Sequence, residues 1–211
     1  MAEALRLGVL ISGGGRTLQN FIDLSQAGGL KAGVVKVVSS RSDAYGLERA
    51  RRDDIPAAVV RRKDFDSTEE FSAAITAELQ AEDVQLVAMA GFLCLYLIPD
   101  CYQNRVMNIH PALLPGFGGK GFYGERVHQT VLDCGCKVSG CTVHFADNTY
   151  DHGPIIIQKA VPVEEGDDAH SLAARVFEKE IQAYPAAINL FAEGKLHVCG
   201  RRVDIRPAEG V

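Results

Sequence analysis

Short apolar runs alternate with stretches of helical spacing along the first half of the chain. Residues 5–11 form an apolar segment that runs straight into Ser12-Gly13-Gly14-Gly15, and Leu18, Phe21 and Ile22 then recur at helical intervals over residues 16–24. Residues 34–39 are β-branched and predict a second strand. Asp43 is positioned to cap a helix carrying Leu47 and Ala50, which should end before Ile55-Pro56. Residues 57–60 predict a third strand. Ser67 then opens a helix over residues 68–80 with Glu70 at capping-box spacing. Residues 84–90 are almost wholly apolar, as a strand covered on both faces should be. Strands alternating with helices predict an α/β fold: a mostly parallel twisted sheet flanked by helices, with right-handed crossovers.

The second half reads differently. A strand over residues 106–109 ends on His110-Pro111, and residues 115–124 hold five glycines (116, 118, 119, 121 and 124) around Lys120. A helix over residues 125–132 follows, then a half-buried strand over 137–145 and an apolar one over 155–163. Residues 168–193 carry Leu172, Val176, Ile181 and Leu190 at helical spacing and should bend near Pro185. No repeat or flexible linker divides the chain. It is therefore expected to be one domain over 1–211, with an amino-terminal half to about residue 105 and a carboxy-terminal half from about 106.

Composition narrows the class. The chain has 211 residues, 47% hydrophobic and 23% charged, with 22 basic against 27 acidic side chains and a net charge of −5. That is enough chain for a sizeable core, and the balance of apolar and charged residues excludes disorder. No apolar run is long enough to span a bilayer, and the first six residues do not read as an export signal. Net acidity without a basic stripe argues against a nucleic-acid partner. The six cysteines are expected to be reduced thiols in a cytoplasmic protein. A zinc set of Cys134, Cys136, Cys141 and His144 is disfavoured by its tight Cys-x-Cys opening, so no metal is expected.

Three constellations carry candidate chemistry. Gly13, Gly14, Gly15, Arg16 and Thr17 lie between a strand and a helix, where close backbone approach and unpaired amides suit an anion. The spacing departs from a dinucleotide fingerprint because Leu18 stands where its third glycine would fall, and the Walker lysine is absent. A phosphate monoester is the favoured ligand, and a plain βα turn is the alternative. Asn108 and His110, two residues apart, share a face at the end of a strand, where an amide and an imidazole suit acyl transfer, although such a pair also serves purely structural ends. Residues 147–154 are a polar segment that reads either as a reverse turn or as the source of a carboxylate, Asp151, that orients His110. Sequence spacing does not show that the two meet.

Together these segments resemble the glycinamide ribonucleotide formyltransferase family, within the folate-dependent formyltransferase superfamily. The resemblance runs from about residue 6 to about 200 and rests on SGGGRTLQ (12–19), SDAYGLERA (42–50), AGFL (90–93), NIHPALLP (108–115), TVHF (142–145) and DHGPIIIQ (151–158). It implies a Rossmann-like amino-terminal half that binds a ribonucleotide phosphate through Gly13–Thr17, with Glu180 on the ribose hydroxyls. It implies catalytic roles for Asn108, His110 and Asp151. The cosubstrate, 10-formyltetrahydrofolate, would lie against Phe92, Leu93, Cys94 and Leu95 and against Ala146, Asp147, Asn148, Thr149 and Tyr150. Small molecules would be the partners of a monomer or homodimer that binds neither nucleic acid nor membrane.

The chain departs from the family pattern at several points. Arg16-Thr17 stands where Ser-Asn is commoner. Thr68 and Cys94 fall where many relatives carry arginines facing the cosubstrate's carboxylate tail, Phe177 replaces a polar residue, and the loop at 116–124 is longer. Arg61, Arg62 or Lys63 is a candidate for the tail contact. Alternatives within the superfamily are a formyltransferase for another phosphorylated or sugar-nucleotide amine, and a 10-formyltetrahydrofolate hydrolase. A non-catalytic phosphate- or folate-binding module is the alternative outside it.

Overall fold

The structure is a computed structural model that describes residues 4–207. The chain divides into two compact units, one reaching to Met107 and the other starting at Asn108.

The first unit is a βα succession. β1 (Leu5–Ile11) is flanked by β2 (Ala32–Ser39) and β4 (Leu86–Met89), with β3 (Ala57–Val59) outside β2, giving the order β3-β2-β1-β4, all parallel. α1 (Arg16–Gln26) buries Leu18, Phe21 and Ile22, and α3 (Thr68–Gln80) buries Phe71, Ile75 and Leu79. Each such side chain contributes roughly 1.5–3 kcal/mol by leaving water. The apolar stripes that predicted these helices are the ones that close the core.

Two local expectations are corrected. α2 (Tyr45–Arg52) is capped by Ala44, with no side-chain cap, rather than by Asp43. The Asp43 carboxylate is instead held in a fork by Arg41, at 3.0 and 2.7 Å. At α3, Ser67 Oγ accepts the Glu70 amide as expected (3.1 Å), but Glu70 returns its carboxylate to the amide of Asp66 (3.2 Å), one residue earlier than a reciprocal box requires. β4 is also shorter than the apolar run that predicted it, because Val84 and Gln85 form the approach from α3.

β5 (Val106–His110) crosses the boundary between the units and includes His110, with Pro111 ending the strand. In the second unit the order is β5-β6-β7-β9-β8, from β6 (Val138–Phe145), β7 (Ile155–Pro162), β8 (Leu196–Cys199) and β9 (Arg202–Ile205). The β6/β7 and β8/β9 pairs are antiparallel. The last two strands are short and half-exposed, so no hydrophobic pattern announces them. α4 (Glu125–Asp133) precedes β6, and α5 (Ala169–Ala192) follows β7. α5 carries the reciprocal box that α3 lacks: the Ser171 amide donates to Asp168 (2.7 Å) and the Asp168 amide to Ser171 Oγ (3.0 Å). The helix runs on through Pro185, which costs it a backbone donor. Burial of Ala183, Tyr184, Pro185, Ala187 and Ile188 around that turn offsets the loss.

Candidate active site

In the first unit the glycine turn is held from behind. The Gly46 amide donates to the Gly13 carbonyl (3.1 Å), and Arg49 Nε donates to the Gly14 carbonyl (2.9 Å) while its Nη1 bonds Gln19 (2.9 Å). Those bonds tie the carbonyls of the turn to α2, at the start of α1. Gly15 sits at φ +69°, and a Cβ there would lie 2.7 Å from the Gly46 Cα; a Cβ on Gly46 would lie 2.4 Å from Ile11 Cδ1. Close backbone approach therefore requires glycine at 15, and the Ile11 side chain requires it at 46. Gly13, Gly14 and Arg16 are exposed, whereas Thr17 is buried. Ser12 ties three strand ends together: its hydroxyl pairs with Ser40 Oγ (2.6 Å) and accepts the Leu93 amide (2.9 Å), and its amide bonds Gly91 (3.1 Å). That fixes the start of the 92–95 segment, in which Phe92 is buried and Leu93 is 49% exposed.

In the second unit β5 presents Asn108 and His110 to Asp151. Asn108 Nδ2 donates to Asp151 Oδ1 (3.2 Å) and faces His144 Nε2 (3.2 Å); the Asp151 Oδ2 atom accepts the Gly119 amide (2.9 Å) and lies 3.4 Å from His110 Nδ1. His110 Nε2 donates to the Phe117 carbonyl (2.8 Å). His110 is 3% exposed and the Asp151 side chain 10%, so the contacts between them are shielded from solvent. Asp151 holds φ +52°, unusual for a residue with a side chain. A Cβ on Gly118 would come within 2.5 Å of Leu114 Cδ2 and 3.2 Å of Asp151 Cβ, so glycine lets the loop close over the carboxylate.

His144 joins this cluster although the sequence named it only as a disfavoured zinc ligand and within the TVHF segment. Its Nδ1–H donates to the Phe145 carbonyl (2.9 Å), which leaves Nε2 bare to accept from Asn108. Burial holds this imidazole below its ordinary pKa, hence neutral. Both Asn108 amide protons are thereby engaged, one on each neighbour. The signal was present: Thr142 and His144 alternate on one face of β6. Thr142 clasps the segment after His110, donating to the Ala112 carbonyl (2.7 Å) and accepting the Leu114 amide (3.0 Å) and Gln158 Nε2 (3.0 Å). Gln158 also donates to the Leu114 carbonyl (2.9 Å). On α4, His128 is buried, and desolvation followed by the nearby His110 charge lowers its pKa.

The remaining candidates fall as follows. Asp147 accepts the Thr149 amide (2.9 Å) and pairs with His152 (2.7 Å), so the 147–152 segment is a folded turn that aims Asp151 inward. Ala146 and Tyr150 are half-buried, and Asn148 and Thr149 exposed. Glu180 is half-buried on α5. The Cys141 thiol is raised to about 12, first by burial and then by Glu180. Cys94 and Leu95 are half-buried. Among the described residues no three His, Cys, Asp or Glu side chains are placed to hold a metal ion.

An α/β protein with an amide, an imidazole and a carboxylate gathered on the end of one strand, and an amide-rich glycine turn on another, is built for group transfer to or from an anionic substrate. The chain belongs to the formyl transferase family, whose model matches residues 5–188. A glycinamide ribonucleotide transformylase from Symbiobacterium toebii superposes with a TM-score of 0.91 at 45% identity, covering 97% of this chain and 95% of that one. The phosphoribosylglycinamide formyltransferase of Haemophilus influenzae is 38% identical over 92% of this chain and 90% of its own length. The trifunctional purine biosynthetic protein adenosine-3 of Gallus gallus is 39% identical over 92% of this chain, which spans only 19% of that longer protein.

Proposed function

We propose that the protein transfers the formyl group of 10-formyltetrahydrofolate to the primary amine of glycinamide ribonucleotide, a step of purine biosynthesis. The observation that carries the reading is the Asn108–Asp151–His110 cluster. The amine attacks the formyl carbon and a C–N bond forms as the carbonyl oxygen gains charge. His110 Nε2 and Asn108 Nδ2 turn their protons from Phe117 and His144 to that oxygen, so the charge meets donors already held in place. Asp151 holds the protonated His110 and takes the proton released by the amine, through water. The proton passes to the folate nitrogen as its bond to the formyl carbon breaks. Gly13–Thr17 hold the ribonucleotide phosphate and Glu180 its ribose hydroxyls. Phe92–Leu95 and Ala146–Tyr150 hold the folate. The reduced thiols fit a cytoplasmic site of action.

The test uses Asp151→Asn, which keeps the shape but sets an NH₂ against either the Gly119 amide or Asn108 Nδ2. Formyl transfer should fall by roughly 10²–10⁴ with the protein still folded by circular dichroism. Activity within a few-fold of wild type would remove the carboxylate's role. Formate release without an amine acceptor would point to the hydrolase. Binding of both small molecules without turnover would point to a non-catalytic module.

A further inference from the structure

In the second unit, the turn that carries Asp151 is gripped from the β8/β9 hairpin. Gly200 and Arg201 form the two-residue turn of that hairpin, with Gly200 at φ +59° and the Cys199–Arg202 pair closing it. Ile155, at the start of β7, pairs with Arg202, so the hairpin tip lies beside the chain leaving the 147–152 turn. There Arg201 Nη1 bonds His152 Nε2, and the other ring nitrogen, Nδ1, bonds Asp147 Oδ2 at 2.7 Å. A guanidinium only donates, so Nε2 is bare and Nδ1 carries the proton given to Asp147. The imidazole is thus a neutral link between a cation set by strand pairing and a carboxylate. Asp147 extends the hold through its other oxygen, which accepts the Thr149 amide (2.9 Å). The stem of the turn is fixed separately: the Phe145 amide donates to the Pro154 carbonyl (2.9 Å), and a Cβ on Gly153 would lie 1.9 Å from the Phe145 carbonyl oxygen. Asp151 lies inside the loop that the Asp147–His152 contact closes. Its φ of +52° is a conformation that a residue with a side chain keeps only where its surroundings impose it.

We propose that Arg201 is a positioning residue for the transfer reaction: through His152 and Asp147 it holds the 147–152 turn in the shape that aims the Asp151 carboxylate at Asn108, Gly119 and His110. The proposal rests on the function given above, and Arg201 acts through another side chain rather than on the substrates. The His152 side chain is 54% exposed and that of Asp147 38%, and contacts of that kind add little to overall stability. Their effect is local. It is read at the carboxylate, where a small displacement of a reacting group is costly to rate.

Two measurements on the full chain need no substrate. Long-range proton–nitrogen correlation spectra at pH 7.5 should show His152 with its proton on Nδ1 and Nε2 bare; a proton on Nε2 overturns the link. Hydrogen exchange at the Gly119 amide, which Asp151 Oδ2 accepts, should quicken by at least about three-fold in Arg201→Gln, and unchanged exchange overturns the positioning role. In formyl transfer by Arg201→Gln, kcat should fall and KM for the folate rise, each by about three- to ten-fold, while KM for the ribonucleotide stays within about two-fold. Arg201→Lys, which keeps a donor and the charge, should retain more of kcat than Arg201→Gln. Wild-type kinetics in Arg201→Gln, or an equal rise in both KM values, overturns the proposal. A wild type that transfers no formyl group would instead sink the function proposed above, and the spectra and Gly119 exchange would still decide whether Arg201 holds the turn.

Discussion

Thr142→Val is the sharpest test of how the second unit holds its site. The substitution keeps volume and β-branching and removes one hydroxyl that is 0% exposed. That hydroxyl serves three partners at 2.7–3.0 Å: the Ala112 carbonyl, the Leu114 amide and Gln158 Nε2. Gln158 keeps its bond to the Leu114 carbonyl, so its loss is partial. The Ala112 carbonyl and the Leu114 amide lose the partners shown for them. At about 1–3 kcal/mol for each stranded group, the variant should lose about 2–5 kcal/mol, or roughly 10 °C in Tm for a chain this size. Urea titration followed by circular dichroism measures it. Thr142→Ser is the control, since it keeps the hydroxyl and gives up one methyl, worth about 1 kcal/mol. If Val costs no more than Ser, the three bonds do not hold the 112–115 segment. Formyl transfer by the Val variant should also weaken, because that segment leads to the Phe117 carbonyl on which His110 rests.

Gly46→Ala would set a methyl 2.4 Å from Ile11 Cδ1 and 3.3 Å from the Gly15 Cα, pressing on the glycine turn. KM for the ribonucleotide should rise about ten-fold or more with a smaller change in KM for the folate, and equal change in both would refute the link. Stability should also fall on mild acidification. Burial lowers the pKa of both His144 and His128 from 6.5, so below that value the unfolded chain binds more protons. Their contribution is complete above pH 6.5 and declines as pH drops toward the lower folded values. A urea midpoint that stays flat from pH 7.5 to 5.5 would contradict this. In a more acidic window, Asp167, whose pKa Arg175 lowers from 3.8, gives up stability as it protonates.

The sequence by itself determined the βα alternation, the helices α1, α3 and α5, the glycine turn and the pairing of Asn108 with His110 on one strand face. These are properties of local spacing: a period of 3.6 or 2, or a glycine where backbone must pass close. What crosses long stretches of chain was settled only in three dimensions. Asp151 reaches His110 because the turn at 147–152, with Asp151 itself at positive φ, folds it inward and the 116–124 loop lays the Gly119 amide on its carboxylate. Asp43 and Glu70 were misread for the same reason, since a capping side chain is equally free to bind a nearer cation or a neighbouring amide. The neutral state of His144 and the commitment of both Asn108 protons follow from burial and from the partner each atom meets, and spacing along the chain contains neither.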